Sequence, residues 1–347
     1  MCTNFLLKAE DGSVINGRSM EFGTLRIRNA EIVLLPKGQK RLAFAEGGES
    51  SRQLYNIIGT NAGPYSDLNF VLTDGMNDQG LACGSLWMPG SQYPTHPDPE
   101  KQSVFVALFN NWALSTCATV AEVKEKLQSE EVILWENGLL QRLDMIPLHF
   151  PVMDKSGASI VVEYTNDDLK PTIYDDSVNV LTNAPDFPWQ VNNVKEVEAN
   201  NGHPISPYNP TSKETGNGYG LVGTPGDPSP PARFSKVGIW KDFATEAKAG
   251  YGLATEREAK ILAYHLLNCV DIPNGVCRYG TAESSKGSDY SVWVVVKDLT
   301  NLEYQIRMYD SSIPYSVSFS VFEGGAITED KAIPVPTDKL ALPLEIA

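Results

Sequence analysis

The chain has 347 residues, of which 42% are hydrophobic, 20% charged and 9% aromatic, a composition typical of a globular protein with one or two domains. Its 28 Lys and Arg residues against 43 Asp and Glu residues give a net charge of −15, which disfavours binding to nucleic acids or to anionic membranes. Apolar runs such as residues 292–296 are far shorter than the ~20 residues that a membrane helix needs.

Apolar runs and their spacing predict strands and helices in alternating blocks. Asp-Gly and Asn-Gly pairs at residues 11–12, 16–17 and 74–75 are predicted to be turns between the first strands. In chain order, the predicted elements are strands at residues 5–7, 27–35, 70–72 and 80–86, helices at 103–112 and 119–127, strands at 149–153, 158–164 and 178–181, helices at 233–245 and 255–269, and strands at 291–296 and 302–309.

A long irregular segment at residues 200–231, rich in Gly, Pro, Asn and Ser, interrupts this order. Such a stretch inside a compact protein is usually functional or mobile. Segregated blocks of strands and helices favour an α+β fold built in layers over a parallel βαβ sheet. Because no internal linker is evident, we predict a single domain over residues 1–347.

Five cysteines and four histidines offer little support for a disulfide framework or a metal site. The cysteines are odd in number and scattered, none of them forms a C-x-x-C pair, and no H-E-x-x-H motif occurs. We therefore expect no metal and no other cofactor. Cys83, Cys117 and Cys269 lie in apolar surroundings, as small core residues do. Cys277 lies in a turn-like stretch and could pair with Cys269 only in an oxidising compartment.

Two familiar patterns in the sequence are predicted to be decoys. Residues 218–223 satisfy G-x-G-x-x-G, the dinucleotide fingerprint, yet the Thr-Pro-Gly-Asp-Pro sequence that follows cannot form the required helix. A papain- or caspase-type Cys–His pair is disfavoured because none of the local signatures of those families surrounds a cysteine.

Cys2 is the strongest candidate for a catalytic residue. Initiator methionine is normally removed when the next side chain is small, and Cys2 would then be the first residue. One residue would carry both a thiol and an α-amine, whose ordinary pKa values are about 8.5 and roughly 8. The amine can serve as general base for its own nucleophile, so no histidine is needed. The alternative is that Cys2 is an ordinary residue near a terminus.

Cys2 opens a series of short motifs that resembles a known hydrolase family. The motifs are Cys2-Thr3, GRSMEF at residues 17–22, MNDQGL at 76–81, LTNAP at 181–185, and PGD at 225–227 followed by ARF at 232–234. In this order and spacing they resemble the choloylglycine hydrolase family, which holds bile salt hydrolases and penicillin V acylases. The resemblance covers residues 2–234. It implies an N-terminal nucleophile hydrolase with an αββα sandwich, in which two antiparallel sheets lie between layers of helices.

By this resemblance Cys2 attacks a linear amide carbonyl and forms a thioester, which water then hydrolyses. Arg18 would stabilise the thiolate, because its guanidinium keeps its positive charge, and Arg233 would add a second charge. Glu21 would accept hydrogen bonds from the α-amine. The family usually has aspartate at this position, so the role of Glu21 is less certain than that of Cys2.

Asn183 would supply the oxyanion donor by the same resemblance. Its side-chain amide, together with a backbone N–H near Trp87, would stabilise the tetrahedral oxyanion. Considered without the motif series, Asn183 would be a turn residue, and Arg18 and Arg233 would be surface arginines. Their places in the series make them candidate catalytic residues.

Three residues are predicted to bind the substrate: Met20, Phe22 and Trp87. At the position of Trp87, bile salt hydrolases typically carry asparagine and Gram-positive penicillin V acylases carry tyrosine. A tryptophan there resembles the Gram-negative acylase branch, whose members accept phenoxyacetyl or long acyl groups. Phe22 would form a second aromatic wall. The alternative is that Phe22 and Trp87 are core residues.

The leading hypothesis is therefore an amidase that acts on a small molecule such as penicillin V or an N-acyl homoserine lactone. The alternatives are a conjugated bile salt hydrolase and, from another class, a non-catalytic small-molecule-binding protein that retains the fold. The resemblance also implies a homo-oligomer, commonly a tetramer. The sequence as written predicts a cytoplasmic protein, or a periplasmic one if a signal peptide has been removed before Cys2.

Overall fold

The computed structural model describes residues 2–22, 30–39, 52–61, 71–136, 147–209, 212–281, 287–338 and 340–342. The strands are β1 (Cys2–Lys8), β2 (Val14–Glu21), β3 (Glu31–Leu35), β4 (Ile57–Asn61), β5 (Leu72–Asn77), β6 (Leu81–Gly84), β7 (Leu86–Trp87), β8 (Gln102–Phe105), β9 (Val132–Trp135), β10 (Leu148–Asp154), β11 (Ser159–Glu163), β12 (Thr172–Asp175), β13 (Val180–Leu181), β14 (Cys277–Arg278), β15 (Ser288–Asp289), β16 (Ser291–Asp298), β17 (Glu303–Met308), β18 (Tyr315–Ser318) and β19 (Lys331–Pro334). The α-helices are α1 (Phe109–Thr116), α2 (Val120–Gln128), α3 (Phe187–Ala199), α4 (Ser212–Thr215), α5 (Pro230–Ala244) and α6 (Glu256–Cys269).

Most of these strands form two large antiparallel sheets. The first sheet has the spatial order β13-β1-β2-β16-β17-β18, and the second has the order β12-β11-β10-β6-β5-β4-β3-β19, with β7 beside β10. A parallel pair, β8 with β9, and a short hairpin, β14 with β15, lie outside them. In the first sheet β2 pairs with β1 on one side and with β16 on the other. This pairing brings the start of the chain against a segment almost 300 residues later.

Helices cover the outer face of each sheet. α5 and α6 pack on the first sheet and α3 packs on α5, whereas α1 and α2 pack on the second sheet. Strand β3 shows that the second sheet is buried on both faces. Its Ile32 and Leu34 belong to the core shared with the first sheet. Its Val33 and Leu35 belong to the core beneath α1 and α2. The layers are helix, sheet, sheet and helix, so the predicted α+β fold with an αββα sandwich is confirmed.

The helices predicted at residues 119–127, 233–245 and 255–269 are confirmed as α2, α5 and α6. The helix predicted at residues 103–112 is wrong in its first half, because β8 occupies that part and α1 begins at Phe109.

The turns predicted at residues 16–17 and 74–75 are wrong, since both pairs lie inside strands β2 and β5. Helix α3 was not predicted, although Asp186 caps it by accepting a hydrogen bond from the Trp189 backbone. Of the strands predicted at 27–35 and 70–72, residues 27–29 and 70 lie outside the described residues.

The segment predicted to be irregular at residues 200–231 contains 3₁₀ turns and the short helix α4 in its described part, and its last two residues already belong to α5. The G-x-G-x-x-G pattern lies there in a 3₁₀ turn at Tyr219–Leu221, with no strand directly before it, so the dinucleotide fingerprint is a decoy as predicted. In the parts of the chain that the structure describes, no helix is both long and apolar enough to cross a membrane.

All five cysteines are free thiols. Cys83 and Cys117 are buried, as predicted. Cys269 is partly exposed, so the prediction of a core residue is wrong there, because the side chain stands at the end of α6.

Candidate active site

Strands β1 and β2 bring the first three predicted site residues together. Their antiparallel register places Cys2 opposite Met20 and Asn4 opposite Arg18. The Cys2 Sγ atom lies 3.8 Å from Met20 Sδ and 3.8 Å from Arg18 Nη2. Cys2, Arg18 and Met20 are all buried. The thiol therefore has a permanent positive charge next to it in an environment with little water.

Asn183 and Arg233 reach Cys2 from the next two elements. Strand β13 pairs with β1, and Asn183, two residues after the end of β13, reaches the end of β1 where Cys2 lies. The Cys2 backbone nitrogen donates to Asn183 Oδ1 at 2.6 Å. Arg233, in the first turn of α5, donates from Nη2 to the same oxygen at 2.9 Å and from Nη1 to the Cys2 carbonyl at 2.6 Å. Asn183 and Arg233 thus fix the backbone of Cys2 on both sides.

Glu21 lies at the end of β2, buried beside Arg233. Its Oε1 accepts from Ser291 Oγ at 3.2 Å, and its Oε2 is 3.7 Å from Arg233 Nη1. Burial raises the pKa of Glu21, and the charge of Arg233 opposes that shift. Burial likewise lowers the pKa of Arg233, against the charges of Glu21 and Cys2. The Cys2 backbone nitrogen makes its hydrogen bond with Asn183, so the predicted role of Glu21 toward an α-amine stays a prediction.

Asn183 is held through both its side chain and its backbone carbonyl. Its Nδ2 donates to the Trp87 carbonyl at 2.7 Å, while Gln190 Nε2 donates to the Asn183 carbonyl at 3.1 Å. An amide Nδ2 carries two N–H bonds, and this contact uses one of them. Trp87 contributes its carbonyl to this arrangement, and the predicted backbone N–H donor near Trp87 stays a prediction.

Phe22, which follows Glu21, and Trp87, whose carbonyl accepts from Asn183, form an aromatic pair. Their ring centroids are 6.2 Å apart and the rings are tilted by 47°. Both side chains are partly exposed, unlike Met20, which is buried against Cys2. The residues that follow Phe22, 23–29, lie outside the described part of the chain. The pair therefore offers an aromatic surface that a fully buried core residue would not.

A buried ion-pair cluster next to Arg18 was not predicted from the sequence. Asp74 lies 3.5 Å from Arg18 Nε, and Lys297 Nζ contacts both oxygens of Asp74, at 2.7 and 2.8 Å. Both residues are fully or almost fully buried. The sequence contained one signal for it, since Lys297 continues the apolar run of β16, where a lysine needs a buried partner.

His149 and Glu163 form a second unpredicted group, below Asn183. His149 Nε2 lies 2.9 Å from the carbonyl of Thr182, and its Nδ1 lies 2.8 Å from Glu163 Oε1. Both Glu163 oxygens accept from the backbone N–H of Phe187, at 3.1 and 3.2 Å. These contacts fix the chain on either side of Asn183. Within the described ranges, no three His, Cys, Asp or Glu side chains are grouped as metal ligands would be.

Comparisons with known proteins show which family and which fold this chain resembles. Residues 2–320 match the family described as linear amide C–N hydrolases, choloylglycine hydrolase family. A bile salt hydrolase/transferase of Clostridium perfringens is 30% identical over 246 residues, which is 70% of this chain and 72% of that protein. A penicillin V acylase of Pectobacterium atrosepticum is 36% identical over 121 residues, 34% of this chain and 32% of that one. The crystal structure of a variant of the conjugated bile acid hydrolase from Clostridium perfringens matches with a TM-score of 0.82 and 26% identity, and covers 99% of both chains.

Proposed function

Because the chain belongs to the choloylglycine hydrolase family and is a linear amide C–N hydrolase, we propose that Cys2, freed of Met1, is its nucleophile. The contact that carries this proposal is the 3.8 Å approach of Arg18 Nη2 to Cys2 Sγ in a buried site. A fixed guanidinium favours the thiolate, which is the reactive form of cysteine. The non-catalytic binding protein considered from the sequence is not proposed, because the family members are amide hydrolases.

Acylation requires one base and one nucleophile, and Cys2 supplies both. Its α-amine takes the thiol proton, and Sγ attacks the amide carbonyl carbon. The C–N bond then breaks, the leaving amine takes the proton from the α-ammonium group, and a thioester remains on Cys2. The hydrogen bond from the Cys2 nitrogen to Asn183 Oδ1 and that from Arg233 to the Cys2 carbonyl orient this first residue.

Hydrolysis of the thioester repeats the same steps with water. The α-amine takes a proton from water, the new C–O bond forms, the C–S bond breaks, and the carboxylic acid leaves. In both half-reactions a negative charge develops on the carbonyl oxygen. The second N–H of Asn183 Nδ2, which the contact with Trp87 does not use, is our candidate donor to that oxygen.

We propose an aryloxyacetyl amide such as penicillin V as the substrate. Phe22 and Trp87 support this choice, since two partly exposed rings whose centroids are 6.2 Å apart suit a flat aromatic acyl group. An N-acyl homoserine lactone was also predicted from the sequence. It stays a prediction, because none of the relatives compared with this chain is named for that substrate.

Conjugated bile acid hydrolysis is the second candidate. A specific observation favours it: the bile salt hydrolase of Clostridium perfringens matches over 70% of this chain, whereas the penicillin V acylase of Pectobacterium atrosepticum matches over 34%. The two candidates share the same chemistry at Cys2 and differ in the group that the aromatic pair would contact.

A substrate panel tests both candidates. Protein with a confirmed Cys2 N-terminus is assayed on penicillin V, glycocholate and an N-acyl homoserine lactone, beside Cys2→Ala and a form that retains Met1. We expect penicillin V to give the highest kcat/KM and both control forms to be inactive. Dominant turnover of glycocholate would replace the first candidate by the second, and an active Cys2→Ala enzyme would overturn the mechanism.

The role of Trp87 is tested in the same assay. Trp87→Leu should lower kcat/KM for penicillin V by about tenfold, the effect of losing one aromatic contact. Trp189→Leu is the matched control, because Trp189 is 45% exposed on α3. It should leave kcat/KM within twofold, and an equal effect of the two substitutions would contradict an aromatic substrate wall at Trp87.

Assembly and compartment are carried over from the family resemblance. We propose a homotetramer, to be measured by light scattering coupled to size-exclusion chromatography. The compartment, cytoplasm or periplasm, is to be determined by fractionation of the native cells followed by immunodetection of the protein in each fraction.

A further inference from the structure

A cluster of buried polar groups connects the two sheets next to Arg18. We define the Asp74 cluster as Asp74 on β5, Lys297 on β16, Tyr304 on β17 and Thr60 on β4. Lys297 Nζ contacts the two Asp74 oxygens at 2.7 and 2.8 Å, and the Tyr304 hydroxyl donates to Oδ1 at 2.9 Å. Thr60 Oγ1 lies 2.5 Å from that hydroxyl. The members are almost entirely buried and come from both sheets.

Arg18 extends from this cluster to the thiol. Its Nε lies 3.5 Å from Asp74 Oδ2, its Nη2 donates to the Ser85 carbonyl at 2.8 Å, and the same Nη2 lies 3.8 Å from Cys2 Sγ. The backbone of β6 packs closely on Arg18 and Asp74, since a Cβ atom on Gly84 would lie 3.3 Å from both Arg18 Nε and Asp74 Oδ2. The guanidinium is therefore held between Asp74 and Ser85, with one nitrogen directed to Cys2.

The distances show how the Asp74 charge is divided. Lys297 contacts both carboxylate oxygens at hydrogen-bond distance, whereas Arg18 approaches one oxygen only, at 3.5 Å. Arginine and carboxylate otherwise prefer a close, two-point pairing. Because Lys297 binds both oxygens of Asp74, the carboxylate does not form a close two-point pair with Arg18. Such a pair would draw the guanidinium away from the thiol.

The charges around Cys2 also favour its thiolate. The buried charged side chains of the site include the basic residues Arg18, Lys297 and Arg233 and the acidic residues Asp74, Glu21 and Glu163. Burial raises the pKa values of Cys83 and Tyr304 well above their ordinary range, so these two neighbours of the cluster are neutral. Of the basic residues, Arg18 places a nitrogen 3.8 Å from Cys2 Sγ, and a cation at this distance stabilises a thiolate.

We propose that Lys297, acting through Asp74, is a positioning residue that keeps the Arg18 guanidinium directed to the Cys2 thiolate. The proposal rests on the proposed role of Cys2 as nucleophile and adds two residues on other strands to that site. Lys297 touches no reacting atom. Its effect is to neutralise Asp74 so that the charge of Arg18 is available to sulfur.

The test measures the thiolate directly, without any substrate. Protein beginning at Cys2 is alkylated with iodoacetamide over a pH series, and peptide mass spectrometry gives the rate at Cys2 alone. Lys297→Met removes the charge and keeps an unbranched side chain that is one atom shorter, so Asp74 pairs with Arg18 instead. We expect the midpoint of the alkylation profile to rise by about one pH unit, which lowers the rate at pH 7 by up to about tenfold.

Two further variants make the result decisive. Lys241→Met is the matched control, because Lys241 is a buried lysine on α5 that donates to the Val178 carbonyl at 2.7 Å, outside the Asp74 cluster. Its midpoint should equal that of the wild type. Tyr304→Phe removes one donor to Asp74 without changing charge, and it should raise the midpoint in the same direction by a smaller amount.

An unchanged midpoint in folded Lys297→Met would overturn the proposal, even if that variant were less stable, since the cluster would then only join the two sheets. If Lys297→Met does not fold, an unchanged midpoint in Tyr304→Phe overturns it. Failure of the proposed function would be seen separately, as an enzyme that stays active after Cys2 has been alkylated.

Discussion

Burial opposes every ionised side chain around Cys2. It raises the pKa of Glu21, and it lowers the pKa values of Arg233 and Lys297. Each charge persists because a partner of opposite sign lies within 4 Å: Glu21 with Arg233, and Asp74 with Lys297. Removal of one partner therefore leaves a buried charge without compensation, which costs several kcal/mol. Tests at this site need substitutions that keep the local charge balance or hydrogen bonds.

Asn183→Asp keeps the hydrogen bonds that Asn183 accepts, and the negative charge that it adds lies against Arg233. It keeps the acceptor oxygen that binds the Cys2 nitrogen and Arg233 but removes both N–H donors of Nδ2. Loss of one oxyanion donor typically lowers kcat by about 100- to 1,000-fold. We expect a loss of this size in kcat, with little change in KM, from steady-state kinetics on the best substrate of the panel.

Asn193→Asp is the control, because Asn193 lies on α3 and donates to Ser235 Oγ, outside the site. It should leave kcat within twofold. If Asn183→Asp kept kcat within threefold, the donor to the oxyanion would have to be another group.

The motif series was sufficient to find these residues but not their contacts. It placed Cys2, Arg18, Asn183 and Arg233 in one site, and the structure brings them together. It did not predict that Asn183 Oδ1 would be shared by the Cys2 nitrogen and Arg233. That contact depends on the pairing of β13 with β1, and no local pattern encodes a pairing between segments so far apart in the chain.

At the scale of the elements, glycines inside strands explain the wrong turns. Gly17 lies directly opposite Phe5 in the first sheet, and a Cβ atom there would overlap the Phe5 ring. Gly75 lies opposite Gly59, where the backbones approach closely. Asn-Gly and Asp-Gly pairs usually mark turns, so the local pattern favoured the wrong structure. Whether a position in a strand must be glycine depends on the residue opposite it in the neighbouring strand. The local sequence does not contain that residue.

Gly17→Ala tests this explanation. The new Cβ would lie 2.3 Å from Phe5 Cζ, and the Phe5 side chain is fully buried. Overpacking of this kind typically costs about 1–3 kcal/mol. We expect the free energy of unfolding, measured by urea denaturation, to fall by that amount.

Gly226→Ala is the matched control, because a Cβ atom at Gly226 would meet no atom within 4 Å. Its free energy of unfolding should change by less than about 0.5 kcal/mol. Equal effects of the two substitutions would show that the ring of Phe5 is not what requires a glycine at position 17.

At the scale of the whole molecule, the composition predicts neither where the charges lie nor how the strands are arranged. The chain carries a net charge of −15, yet the described buried groups around Cys2 include three cations and two carboxylates. The net charge of the chain does not reveal this group of three buried cations. Likewise, the order of blocks favoured an α+β fold, and the resemblance alone specified a sandwich of two sheets.

Asp176 is a buried acid away from the active site that links global stability to pH. It follows β12, where its Oδ1 accepts from the Asn179 backbone at 2.6 Å and its Oδ2 from Ser159 Oγ at 3.3 Å. Burial raises its pKa from 3.8 to about 6, against these hydrogen bonds and the charge of Lys241. The folded protein therefore binds this proton more tightly than the unfolded chain does. The contribution of Asp176 to stability is fully present below pH 3.8 and is lost as the pH rises through about 6.

Asp176→Asn should remove this dependence, because asparagine keeps the Oδ1 acceptor and can donate to Ser159. The difference in the free energy of unfolding, variant minus wild type, should be small at about pH 3.5 and should grow to about 1–3 kcal/mol in favour of the variant at pH 8. Urea denaturation at a series of pH values measures it.

Asp175→Asn is the neighbouring control, because the Asp175 side chain is 81% exposed and pairs with Lys124 at the surface. Its difference should stay nearly constant over the same range, since exposed ion pairs contribute little. A constant difference for Asp176→Asn as well would mean that the folded protein does not hold the Asp176 proton more tightly than the unfolded chain.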